Sequence, residues 1–201
     1  MRLRIRREQV GARTSPKTQG NGREIEVVTR VLVAGIGNIF FGDDGFGPEV
    51  VRRMMSRPEG APALPDGVRL VDYGIRGMHL AYDLLDGVDA LVLVDALPGD
   101  GEPGAITVLQ VRPEDLGEGS FDAHGMNPVA VLGSLGALGG TLPPTYVVGC
   151  TPADLEEGIG LSAPVAAAVD VAAEAVWSLL TEQVFSSESE HSESEHSKQG
   201  G

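Results

Sequence analysis

The sequence predicts an α/β fold, a mostly parallel sheet of about five strands covered by helices on both sides. Three observations predict it. Short β-branched runs alternate along the chain with stretches of helical periodicity, the pattern of successive βαβ units. One run, residues 90–94 (ALVLV), is apolar throughout, as a strand buried on both faces must be. With 42% hydrophobic residues among 201, the chain holds enough apolar surface for one domain with its own core.

The elements follow in order. Residues 27–34 (VVTRVLVA) read as the first strand and lead into a glycine-rich loop, 35–47. Pro48 suits a first helical position, and Val50, Val51, Met54 and Met55 share one face by i, i+3, i+4 spacing, so a helix follows. Residues 68–72 (VRLVD) form a second strand and 78–85 a second helix that stops near Gly87. The apolar run 90–94 is the central strand, and 105–111 (AITVLQV) alternates as an edge strand does. Asn127 and Pro128 supply an N-cap and first-turn signal for a helix to about Leu138, and 145–149 (TYVVG) is the last strand. Ser162 caps a final alanine-rich helix, 163–180.

These elements make a single domain over 27–181, with no internal repeat. A basic arm, 1–26, precedes it, and its Gly, Ser and Pro interruptions mark it as disordered. A Ser/Glu/His tail, 182–201, follows it with almost nothing apolar to bury. His191 and His196 in that tail are read as parts of a solvated terminus.

The formal net charge is −14, and residues 31–181 carry 21 acidic side chains against six arginines and no lysine. Such a surface repels phosphate backbones, since nucleic-acid affinity rests on clustered Lys and Arg, so no nucleic-acid partner is expected. The single cysteine, Cys150, closes no intramolecular disulfide and fits a reducing cytoplasm. No apolar stretch of signal-peptide length follows MRLRIRREQV, and no run reaches the roughly 20 apolar residues that span a bilayer. The expectation is a cytoplasmic monomer that does not insert into a membrane.

In a parallel α/β sheet the working residues gather at the carboxyl ends of the strands. The loop after the first strand, GIGNIFFGDDGFG (35–47), begins like a dinucleotide fingerprint but lacks the third glycine three residues after the second. Asp43 and Asp44 would repel a pyrophosphate, so the loop suits a cation. The plainer role for the same pair is to cap the helix at Pro48, and the loop by itself leaves both open. Asp72 and Asp95 end the second and third strands, and they converge with Asp44 if those strands are neighbours. His124, in FDAHGMNP, adds an imidazole, and imidazole with carboxylate oxygens suits a divalent transition ion with a position left open. His79 lies inside a helix and is read as structural. Cys150 ends an apolar strand, where a thiol packs as a small hydrophobe, and no G-x-S-x-G marks a serine nucleophile.

The segments VLVAGIGNIFFGDDGFGPEVV (31–51), VDYGIRGM (71–78), LVLVDA (91–96), AHGMNP (123–128) and GCTPADLEEGIGLSAPVAAAV (149–169), in that order, resemble the nickel-iron hydrogenase maturation endopeptidases. The resemblance implies a three-layer α/β/α sandwich and a selective endopeptidase. That enzyme removes the C-terminal extension of the hydrogenase large-subunit precursor once nickel is inserted. It implies Asp44, Asp72 and His124 as the residues that contact the metal, with supporting roles for Asp43, Asp95 and Asn38. Some members carry Glu at the position of Asp44, which here has the shorter reach. The nickel arrives with the precursor, held by its thiolates, so an unloaded precursor offers no anchor. Two other readings stand beside this one. A non-cleaving metal-binding assembly factor for the same subunit would use the same ligands. A peptidyl-tRNA hydrolase also opens on GxGN, but the FFGDDGFG that follows and the acidic charge speak against it.

Overall fold

The computed structural model describes residues 29–56, 63–111, 132, 135, 136 and 138–184. Among them, strands β1 (Val31–Ile36), β2 (Val68–Gly74), β3 (Ala90–Ala96), β4 (Ile106–Val111) and β5 (Thr145–Cys150) form one sheet in the order β2-β1-β3-β5-β4. β1 lies parallel to β2 and β3, β3 lies parallel to β5, and β4 closes the edge antiparallel to β5. The helices are α1 (Phe46–Met55), α2 (Gly77–Leu85) and α3 (Ala163–Ser178).

The two-residue period of the strands sorts their side chains into two cores. Val31 and Val33 of β1, with Val92 and Val94 of β3, meet Phe46, Val50 and Val51 of α1 and Val165, Val169 and Val176 of α3. The intervening Leu32, Ala34, Leu91 and Leu93 meet Leu80 and Leu84 of α2, together with Leu132 and Leu135. Helices therefore lie on both faces, and the three-layer α/β/α sandwich is the observed fold. Each fully buried Val or Leu contributes roughly 1.5–3 kcal/mol, which is why β3, buried along its whole length, tolerates no polar residue before Asp95. The Tyr73 hydroxyl and the Arg69 guanidinium both donate to Asp83 Oδ2, the latter at 2.7 Å, and tie α2 to β2.

The chain leaves β1 through α1 toward β2 and returns through α2 to β3 on the other side of β1. The crevice at the carboxyl ends of β1 and β3 is thus the point where the strand order reverses, where open α/β sheets bind ligands.

Several boundaries differ from the sequence expectations. β1 starts at Val31 and runs on to Ile36; residues 27 and 28 lie outside the described residues. Its start is set by Arg30, whose N–H donates to Asp89 Oδ2 at 2.7 Å and whose carbonyl accepts from Asp89 N at 2.8 Å. α1 begins at Phe46, because a 3-10 turn (Gly42–Gly45) runs into it and makes Pro48 the third helical residue. Proline is tolerated there because first-turn N–H groups have no intrahelical acceptor. Ser162 occupies the N-cap of α3, yet its side chain makes no capping bond; its hydroxyl donates to Asp43 instead. The helix expected from Asn127 lies mostly outside the described residues, although Leu132 and Leu135 are helical and buried. The arm 1–26 and the tail beyond 184 also lie outside them, while the end of α3 continues as a π-helical turn, Leu179–Val184, past the expected boundary at 181.

Among the described residues one helix, Ala163–Thr181, is long and apolar enough by length and composition to cross a membrane, although Asp170 and Glu174 interrupt its apolar run. Its apolarity has a local cause. Val165, Val169, Ala172 and Val176 face the sheet, and Asp170 pairs with Arg53 of α1 at 2.6 Å.

The start of α1 is pressed against the sheet. A Cβ on Gly47 would overlap the carbonyl oxygens of Val94 and Ile36 and stand 2.7 Å from Ile36 N. None of these backbone atoms can yield without breaking the ladder. Gly47→Ala is therefore expected to destabilise the protein by roughly 2–4 kcal/mol, read as a lower urea midpoint at unchanged slope. An unchanged midpoint would contradict this packing.

Candidate active site

The crevice at the strand reversal is a cleft of about 350 Å³, and Gly37, Asn38, Phe41, Asp44, Gly74 and Asp95 are among the residues that line it. Its geometry starts at Gly37, whose φ of +131° lets the chain leave β1 sideways, a conformation that L side chains rarely adopt. Gly37 N donates to Gly74 O at 3.1 Å and so joins the loop to the end of β2. The loop then folds back on itself. Asn38 N donates to Asp44 Oδ2 at 2.6 Å, and Phe40 N donates to Asn38 Oδ1 at 3.1 Å. One Asp44 oxygen is held by this backbone donor, and the carboxylate faces the cleft.

The neighbouring carboxylate has a different fate. Asp43 is fully buried and accepts four hydrogen bonds: from Ala153 N at 2.8 Å, Asp154 N at 3.0 Å, Ser162 N at 2.7 Å and the Ser162 hydroxyl at 2.8 Å. Burial by itself raises the pKa of this carboxyl, but the donors outweigh it and hold the group below its ordinary value. Asp43 binds the loop to the segment between β5 and α3. The two carboxylates bond to Asn38, Ala153, Asp154 and Ser162 and not to N–H groups of α1.

Asp95 sits at the end of β3, only 6% exposed, with Ala96 N donating to its Oδ1 at 2.9 Å. Burial, and after it the charge of Asp44, push its pKa up to about 7. Asp72 is exposed on β2, beside an irregularity that sets Gly35 opposite Asp72 but Ile36 opposite Gly74. Its Oδ1 and the Gly37 carbonyl flank the same space beside Gly74, each 3.7 Å from where a Cβ would stand. β2 and β3 both flank β1, so the strand ends bearing Asp72 and Asp95 stand on either side of the Asp44 loop.

His124 lies outside the described residues. Among the described residues no three His, Cys, Asp or Glu side chains form a metal-ligand cluster. The donor chemistry of Asp44 and Asp72 suits a divalent ion that keeps further ligands of its own. Cys150 is buried, and burial followed by the Asp43 charge pushes its thiol up to about 11, which fits packing and not nucleophilic attack. His79 is exposed on α2. Sequence reasoning missed Arg76, which donates to the Asp72 carbonyl at 2.6 Å and the Tyr73 carbonyl at 3.0 Å and so fixes the turn after Asp72. The only signal for it was a lone arginine just past a strand end.

The raised Asp95 pKa has a defined effect on stability. Between the ordinary value of 3.8 and about 7 the folded protein keeps a proton that the unfolded chain releases, so this group lowers stability as pH rises through that window and no further above it. Asp95→Asn removes the titration and keeps an acceptor for Ala96 N. The stability gained by the variant over wild type is expected to grow from pH 4 to pH 7 by up to roughly 4 kcal/mol and then level off, measured by urea unfolding. A gain independent of pH would contradict the assignment.

A family model described as hydrogenase maturation protease matches residues 48–179. The hydrogenase expression/formation protein HupD of Rhodobacter capsulatus is 35% identical, over 73% of this chain and 70% of its own length. The hydrogenase 2 maturation protease of Escherichia coli is 32% identical, over 76% of this chain and 92% of its own. The solved structure of the hydrogenase maturating endopeptidase HybD from E. coli superposes with a TM-score of 0.65 at 31% identity, covering 78% of this chain and 94% of that one. The resemblance in five short segments thus extends to a whole-domain match, which displaces the peptidyl-tRNA hydrolase reading: this chain belongs to the hydrogenase maturation protease family.

Proposed function

We propose that the chain is the endopeptidase that removes the C-terminal extension of a nickel-iron hydrogenase large-subunit precursor after nickel insertion, and that Asp44, Asp72 and His124 contact the nickel carried by that precursor. It does so as a monomer in the cytoplasm. The observation that carries the reading is the Asp44 carboxylate, fixed by Asn38 N in a cleft at the strand reversal, with Asp72 Oδ1 beside Gly74 of the cleft lining.

Nickel already bound by precursor thiolates keeps positions open for oxygen and nitrogen donors, and two carboxylates with an imidazole can supply them. Such an ion polarises a nearby carbonyl or acidifies a bound water. The residues of this chain hold the precursor in register with the cleft. Asn38 N fixes one Asp44 oxygen, Arg76 fixes the turn beyond Asp72, and the buried Asp95 carboxyl, half-protonated near neutral pH, limits the negative charge packed behind Asp44. Asp43 serves the fold of the loop.

A non-cleaving assembly factor would bind the same precursor and leave its mass unchanged. Purified protein incubated with nickel-loaded precursor is expected to give a shortened large subunit by mass spectrometry, and unloaded precursor is expected to stay intact. Asp44→Asn, Asp72→Asn and His124→Ala should each abolish the cleavage while the thermal midpoint stays within about 2 °C of wild type, because ligands held for an ion add little to the stability of the free protein. Near-normal cleavage with stability lowered by about 1–3 kcal/mol would mean that these residues are structural. An intact precursor with the wild-type protein would favour the assembly factor.

A further inference from the structure

Beside the carboxylate cleft the surface carries an exposed apolar rib. Ile39, Phe40, Phe41, Leu155 and Ile159 are all exposed large hydrophobics, Phe40 at 56% and Ile159 at 83%. They belong to two loop segments bonded as a short parallel bridge between Phe41 and Gly158. Gly42 N donates to Gly158 O at 3.0 Å, Gly158 N to Phe40 O at 2.9 Å, and Asp43 N to Asp154 O at 2.9 Å. The four bonds to the Asp43 carboxylate hold both segments from beneath. A rib fixed by so many bonds presents its side chains at little further cost in entropy, and clustered large apolar groups of this kind mark interaction sites.

The rib divides two clefts. Phe41 lines the carboxylate cleft, while Ile39 and Ile159 line a second one of about 580 Å³ floored by Leu161, Ala166 and Val169. The arginines at the rim of that second cleft are already engaged, Arg52 with Glu49 at 2.7 Å and Arg53 with Asp170 at 2.6 Å. Among the described residues, Asp154, Glu156 and Glu157 beside Leu155 and Ile159 in the chain are exposed carboxylates. A second copy of this chain would set these carboxylates against their equals.

We propose that this rib is where the folded large-subunit precursor docks, through an apolar face of the precursor bordered by lysine or arginine, with the extension entering the adjoining carboxylate cleft. This inference rests on the proposed function and adds to it a recognition surface outside the cleft. Continuity with the cleft supports the assignment, and the acidic border supports the basic character of the partner.

The test titrates nickel-loaded precursor against wild-type protein, a Phe40→Ser/Ile159→Ser variant and a Glu156→Lys/Glu157→Lys variant, with cleavage kinetics and sedimentation measured on the same samples. Both pairs of side chains are exposed, and thermal unfolding checks that each variant keeps its fold. The apolar variant is expected to weaken precursor binding at least about tenfold, with the loss in KM and not in kcat. The charge variant is expected to slow association and flatten its dependence on salt. Wild-type affinity in both variants would overturn the docking surface and leave the protease reading standing. So would a change in self-association with precursor affinity untouched. If wild-type protein binds the precursor without cutting it, the protease reading falls while the affinities of the variants still decide the rib.

Discussion

The open end of the sheet depends on how closely the start of α1 approaches β1 and β3. Gly47 lies against the carbonyls of Val94 and Ile36, and Gly35 lies against the Gly47 carbonyl at a distance no Cβ allows. The nine residues 37–45 must bridge strand and helix across that approach. The chain meets the constraint with a sideways exit at Gly37 and a 3-10 turn at Gly42–Gly45, so two consecutive aspartates are delivered to opposite environments. The loop buries Asp43 under four donors and leaves Asp44 in the cleft.

This division explains how a strongly acidic loop is stable. A buried carboxylate with few donors is driven toward its neutral form, as Asp95 with its single bond from Ala96 N partly is, whereas Asp43 stays charged because three backbone N–H groups and a hydroxyl converge on it. Those donors come from the segment between β5 and α3, more than a hundred residues away. The Asp43 bonds therefore close the domain, joining its first crossover to its last, and hold the apolar rib beside the cleft as a rigid unit. Scaffold and candidate site share the same few bonds, yet their side chains are separable.

Much of the fold was legible because it rests on local pattern. The run at 90–94 read as a doubly buried strand, and β3 is buried along its length between β1 and β5. The alternation at 105–111 read as an edge, and β4 is that edge. Boundaries shifted where a distant partner set them: β1 begins at Arg30's bonds to Asp89, and Ser162 serves Asp43 and not its own helix. The candidate site was legible in part. Carboxylates at strand ends marked Asp44, Asp72 and Asp95 in the sequence, but the different roles of Asp43 and Asp44 were not, since adjacent identical residues carry no mark of which one a remote segment will bind. The exposed rib was likewise hidden, because apolar type alone does not say which loop side chains stay exposed.

The central claim is that carboxylates at the strand reversal meet a metal that arrives with the substrate. X-ray absorption at the nickel edge, recorded on nickel-loaded precursor alone and on an equimolar mixture with this protein frozen before turnover, tests it most directly. The expected result is a set of new oxygen and nitrogen donors at about 2 Å joining the precursor's sulfur ligands, lost again with Asp44→Asn. A nickel environment unchanged by a complex that demonstrably forms would contradict the account.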